Sequence, residues 1–313
     1  MTSRSLKVLA AVAVVVFAAV FLAARTYWKS SASPASPTFA SPEAAVEALG
    51  AAVAKGSADD MRALFGAEGE ALVDTSEPIE LARNREVFKI AMAEGWRLED
   101  HGEQKTLVVG NEAWPFPVPL VRNDTGWRFD TAAGEDEILS RRIGRNELTA
   151  IRVCHTYVAA QRIYARRAHD DRPAGVFASV VRSDPGRENG LFWPAVHGRP
   201  RSPFGELLVE ASDDARTALK DRAGAPFYGY YFRILTAQGA AAPGGARDYV
   251  VNGVLSGGFA LVAWPAEYDV TGVMTFIVNQ DGVVHQRDFG PDGEAAIREI
   301  HAYDPDSSWA PVE

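Results

Sequence analysis

Phe276-Ile277-Val278-Asn279-Gln280-Asp281-Gly282-Val283-Val284-His285-Gln286-Arg287 decides what the C-terminal half of this chain can become. Two β-rich runs flank Asp281-Gly282, a pair that accepts the left-handed backbone of a tight hairpin turn. Working back from the hairpin, Gly257 to Trp264 and Tyr228 to Thr236 carry the same β-branched and aromatic bias. The glycine-rich stretch from Gly239 to Gly245 and Pro265-Ala266-Glu267-Tyr268 supply the longer connections. An antiparallel sheet is the expected outcome.

Upstream, the spacing predicts a helix over Ile138 to Arg167, interrupted around Gly144, with Leu148, Ile151, Tyr157, Val158 and Ile163 on one broad face. Asp184-Pro185-Gly186-Arg187-Glu188-Asn189-Gly190 is turn chemistry, and a further short helix is expected over Ser202 to Ala218. A helix across three or four antiparallel strands ending in a Gln-Asp-Gly hairpin resembles the globular head of pilins. Residues 132–313 are therefore read as a pilin-head-like α+β domain, with no filament implied, because a whole domain separates it from the apolar N-terminus.

That preceding domain is read over residues 41–131. Ser41-Pro42-Glu43-Ala44 combines an N-cap residue, proline in the first turn and an early acid, and Val46, Leu49 and Val53 recur on one face before Gly56. Helices are also expected over Ala58 to Phe65 and Ile79 to Ala93, followed by short strands at Trp96 to Leu98, Leu107 to Val109, Trp114 to Val121 and Trp127 to Phe129. Helices first and a curled antiparallel sheet afterwards resembles cystatin-like and nuclear-transport-factor-2-like folds. The fold class for the whole chain is α+β.

Arg4 and Lys7 precede an uninterrupted apolar run from Val8 to Ala24, and Tyr27, Trp28 and Lys29 follow it. Residues 1–29 read as a signal peptide or an uncleaved signal anchor, so the chain is expected to be exported, either periplasmic or held at the cytoplasmic membrane facing outward. Residues 30–40, rich in serine, alanine and proline, form a tether. The net charge of -9 and the lack of a basic run disfavour nucleic acid as a partner. Cys154 is the single cysteine, which excludes an intrachain disulfide and reads as a buried thiol on the long helix.

Six strings resemble a bacterial family catalogued as domain of unknown function 2950. They are Phe39 to Ala44, Trp114 to Pro117, Trp127 to Thr131, Arg141 to Glu147, Tyr230 to Gly239 and Phe276 to Gly282. The resemblance implies an exported envelope protein and carries over no catalytic or binding residue.

The motifs whose spacing serves known chemistry are missing: no nucleophile elbow, phosphate-binding glycine loop, dinucleotide fingerprint or zinc helix. No catalytic, cofactor or metal residue is assigned, and no cofactor is expected. His101, His155, His169, His197, His285 and His301 are scattered singly. A noncatalytic binding or scaffolding module is the preferred reading, with an envelope protein or cell-wall component as partner and the membrane reached through the N-terminal helix. Its expected contact residues are the loop aromatics Trp114, Phe116, Phe192 and Trp193. Arg141, Arg142 and Arg145 are candidates for anion recognition or interdomain salt bridges. Two alternatives stay open: an envelope hydrolase or lyase built from, for instance, His155, His285 and Asp281, and a structural adaptor between membrane and cell wall.

Overall fold

The computed structural model describes residues 36–56, 58–66, 78–170, 172–195, 200–204 and 226–312. The segment expected as signal or anchor, residues 30–35 of the tether, His197 and all but the first three residues of the helix expected over Ser202 to Ala218 lie outside them. Among the described residues no helix is long and apolar enough to cross a membrane. Helices and antiparallel sheets together make this an α+β protein, and the chain divides into two compact units after Glu135.

In the first unit, α1 (Pro42–Lys55) begins where sequence logic places it. The Ser41 side chain accepts a hydrogen bond from the Ala44 amide, and Gly56 closes the helix in the left-handed conformation with φ of 70°. A serine cap of this kind contributes about 1 kcal/mol. Ala45, Val46, Leu49 and Val53 form the buried stripe. Beside it come α2 (Ala58–Phe65) and α3 (Pro78–Glu94). The sheet consists of β1 (Trp96–Asp100), β2 (Gln104–Val109), β3 (Trp114–Pro115), β4 (Leu120–Asn123) and β5 (Gly126–Phe129). Its order is β1-β2-β4-β5, with β3 also paired to β2. Leu107, Val109, Leu120 and Phe129 join the helical stripe in one core. Phe39 pairs with Trp127 at the outer side of β5, where Gly126 has no side chain to strike the Phe39 carbonyl.

A single helix, α4 (Thr131–Tyr164), runs uninterrupted through Gly144, which corrects the expected break. Nothing lies within 4 Å of the place a Gly144 Cβ would occupy, so this glycine marks neither a kink nor a close approach. Its cost of about 1 kcal/mol relative to alanine is too small to stop a helix of good formers on either side. Gly134 differs: a Cβ there would sit 2.6 Å from Val118 Cγ2, so its absence lets the helix start close over the sheet.

The second unit is built on β6 (Tyr230–Leu235), β11 (Ala260–Pro265), β12 (Met274–Asn279), β13 (Val284–Asp288) and β14 (Ala310–Pro311). Their order is β14-β13-β12-β11-β6, antiparallel throughout. The hairpin at Asp281-Gly282 forms as expected, Val278 pairing with Val284. Two further pairs, β7 (Ala237–Gln238) with β8 (Arg247–Asp248) and β9 (Val250–Val251) with β10 (Val254–Leu255), are too short to leave a sequence period.

Tyr230 and Phe276 pack, ring centroids 5.9 Å apart and tilted, on the face that α4 covers, where Glu147 of α4 accepts from the Val273 and Met274 amides at 2.9 Å each. The register puts Arg233, Val262, Ile277 and His285 in a row on the opposite face. There Arg233 donates to the Ile297, Arg298 and Ile300 carbonyls and so holds the end of α5 (Glu294–Arg298). With both faces covered, β11 and β12 are buried along nearly their whole length, which explains their continuous apolar runs.

Cys154 is fully buried and burial pushes its thiol up to about 12. A thiol in that range has almost no thiolate at neutral pH. The native protein should therefore leave a disulfide reagent such as Ellman's unreacted, with one equivalent reacting after denaturation in guanidinium. Rapid labelling of the folded chain would contradict the packing of Cys154 against the sheet.

Candidate functional site

The stretch Trp114 to Pro119 is shaped by its prolines. β3 pairs with β2 through Val109 with Trp114 and Val108 with Pro115, and β4 pairs with it through Lys105 with Leu120 and Gln104 with Val121. Between those pairs β2 contributes Thr106 and Leu107, while the opposing segment contributes Phe116, Pro117, Val118 and Pro119. The two extra residues form a bulge, and both Pro117 and Pro119 fall inside it, where the ladder asks for no amide donor. The strand expected from Trp114 to Val121 is thus one strand broken by its own prolines.

This geometry holds the aromatic residues stiffly. Phe116 packs on Phe88 of α3 and on Trp114, with ring centroids 5.5 and 6.3 Å apart, and Trp114 meets Phe88 edge-on at 6.4 Å. Behind them Phe129 and Phe65 continue the stack. Trp114 nevertheless remains 44% exposed. Trp96 pairs with Val109 from the other side, so the two tryptophans flank one buried valine on the same face of the sheet. Trp96 is 39% exposed, and Val87 and Ile90 of α3 are exposed further along.

The other aromatic strip has the opposite fate. Trp193 is only 5% exposed; its indole Nε1 donates to the Pro200 carbonyl at 3.0 Å, and Phe192 packs half-buried against the core. Phe192 and Trp193 fasten a loop down, and little of Trp193 is left at the surface for a partner.

The arginine string serves its own helix first. Arg141 pairs with Glu137 one turn earlier at 2.8 Å, Arg142 Nε is shielded from solvent without a partner, and Arg145 is exposed. Sequence reasoning passed over the two residues that follow. Asn146 donates to the Thr271 carbonyl and Glu147 holds the amides of Val273 and Met274, so this helical turn is tied to the start of β12.

His155 is exposed on α4, whereas His285 lies on the face of the sheet turned away from that helix. They do not meet. His285 Nδ1 instead faces the Tyr303 hydroxyl at 3.2 Å. Burial, with a contribution from Asp281, pushes that phenol up to about 12, so it keeps its proton at neutral pH. Asp281 itself is bound back to Asn279 within the hairpin turn. Among the described histidines the buried one is His169, stacked parallel on Tyr164 at 3.8 Å, with Nε2 on the Tyr164 carbonyl and Nδ1 3.5 Å from Glu188. Arg167 already pairs with that carboxylate at 3.1 Å, and burial lowers the imidazole below its ordinary value. A neutral, structural histidine results.

Among the described residues no group of three or more His, Cys, Asp or Glu side chains is arranged to hold a metal ion. The acids near the C-terminus are engaged locally, Asp304 by the Ala241 amide and Asp306 by Ser308.

One family model, described as protein of unknown function (DUF2950), matches residues 36–312. The chain belongs to this family. No curated protein and no solved structure matches it. All six strings that suggested the family lie inside the matched stretch, and they include the bulged strand, the Asn146 and Glu147 tie, the Arg233 strand and the hairpin.

Proposed function

We propose that this protein is exported, stays at the outer side of the cytoplasmic membrane through residues 1–29, and works there as a noncatalytic binding or scaffolding module. The reading takes residues 30–40 as a tether, 41–131 as a cystatin-like domain and 132–313 as a pilin-head-like domain. Three helices ahead of an antiparallel sheet, and a long helix across a second one, favour those two likenesses. Export rests on Arg4 and Lys7 ahead of the apolar run and on Tyr27, Trp28 and Lys29 behind it.

The observation that carries the binding role is Trp114, a large apolar side chain 44% exposed on a stiff, proline-locked strand. A rigid aromatic residue loses little conformational entropy when it is covered, which is why such residues dominate recognition surfaces. The partner is an envelope protein or a cell-wall component.

A photoreactive phenylalanine analogue placed at Trp114 in living cells should give one discrete adduct. The same analogue at Val283, which is 47% exposed on the hairpin of the other unit, should not. Equal labelling at both positions would remove the docking role. Protease added to spheroplasts should digest the chain, and full protection would defeat the export half of the reading.

A further inference from the structure

β1 is an edge strand whose outer side is unpaired among the described residues. The Gly95 carbonyl accepts from Gly110 and the His101 amide donates to Gln104, so the backbone groups of odd-numbered residues in this strand point at β2. Those of Trp96, Leu98 and Asp100 therefore point outward, where no described residue meets them. Unpaired strand edges are templates for further pairing unless their side chains forbid it.

The side chains here select one partner. Arg97 and Glu99 stand on the sheet face away from the helices and pair with each other at 2.7 Å, while Leu98 lies between them on the other face, packed against the core. Let a second β1 approach antiparallel with Leu98 opposite Leu98. Trp96 then faces Asp100, and Arg97 faces Glu99 in both halves of a two-fold arrangement. Leu98 is one of the outward-pointing residues, so this register also satisfies the backbone, with about six new main-chain hydrogen bonds. Moving the axis to Arg97 sets arginine against arginine, and moving it to Glu99 sets glutamate against glutamate. Both conflict at the centre.

We infer that β1 pairs with β1 of a second copy of this chain, joining two first units through a continuous antiparallel sheet centred on Leu98. The charges that would repel an unrelated strand are complementary to their own two-fold image. This interface is separate from the role proposed for Trp114, and each can fail alone.

Charge reversal tests it on the full chain in mild nonionic detergent, by sedimentation. Wild type should be dimeric. Arg97→Glu and Glu99→Arg should each weaken the dimer about tenfold or more, because two opposite-charge pairs become like-charge pairs. The double variant should restore it. Both positions are exposed, so the three charge variants should leave the circular dichroism unchanged. Register is read by cysteines: Arg97→Cys mixed with Glu99→Cys should cross-link under oxidation, and either alone should not, Cys154 being buried. A monomeric wild type, dimers indifferent to all three charge variants, or cross-linking by Arg97→Cys alone would each overturn the inference.

Discussion

Phe129→Ala should cost the first unit about 3–5 kcal/mol, enough to unfold a domain of ordinary stability. Phe129 is completely buried, meets Phe65 edge-on at 5.2 Å and Phe116 at 6.3 Å, and pairs through its backbone with Leu120. Its removal leaves a cavity where α2, through Phe65, and the bulge, through Phe116, meet a ring of the last strand. The bulge cannot close that cavity by sliding, since Pro117 and Pro119 fix its backbone and Val118 is wedged against Gly134. Urea denaturation followed by circular dichroism gives the total loss. Hydrogen exchange over residues 104–129 should show the loss concentrated in this sheet. Trp114→Ala, at a half-exposed position, should cost only about 1 kcal/mol. Equal destabilisation by the two substitutions would mean that Trp114 is a core residue and no docking group.

What could be read in the sequence was local. Ser41 and Gly56 announce both ends of α1 because capping is decided within a few residues, and Asp281-Gly282 announces its hairpin for the same reason. The two Trp-Pro pairs show where such reading stops. Trp114-Pro115 and Trp193-Pro194 look alike as dipeptides. One side chain stays at the surface because its strand lies at the sheet margin; the other is buried because its loop folds over the end of α4, where His169 and the Pro200 carbonyl receive it. Neither partner is signalled by the neighbours of Trp193. The short strands β7 to β10 are silent for a related reason, being two-residue pairings whose formation depends on distant backbone. His169 gave no warning of its burial: its companions Glu188 and Trp193 arrive from a loop about twenty residues on. The strand edge at β1 is intermediate, its alternation of charge and apolar residues visible in the sequence and its exposed side visible only in the topology.

Gln161→Ala should destabilise the second unit by about 3 kcal/mol, more than its modest apolar contact would suggest. Gln161 is fully buried on α4 and treats a loop residue as a strand would. Its Oε1 accepts from the Ala178 amide and its Nε2 donates to the Ala178 carbonyl, both at 2.8 Å. The same Nε2 reaches the Tyr157 hydroxyl, which donates to the Ala260 carbonyl of β11. One amide side chain thus joins helix, loop and sheet. Alanine would strand a buried N–H and a buried C=O, at about 1–3 kcal/mol for each group. Gln161→Glu separates hydrogen bonding from packing. A carboxylate can accept from the Ala178 amide but faces the Ala178 carbonyl with a second negative oxygen, so folding raises its pKa above the unfolded value. The variant should therefore approach wild-type stability below about pH 4, where the acid is protonated in both states, and lose stability as pH rises above that. Denaturation midpoints from pH 4 to 8 would show this slope in Gln161→Glu and none of it in Gln161→Ala relative to wild type. If both variants fell by the same amount at every pH, the loop would be held by packing alone, and the amide bridge would contribute nothing to the fold.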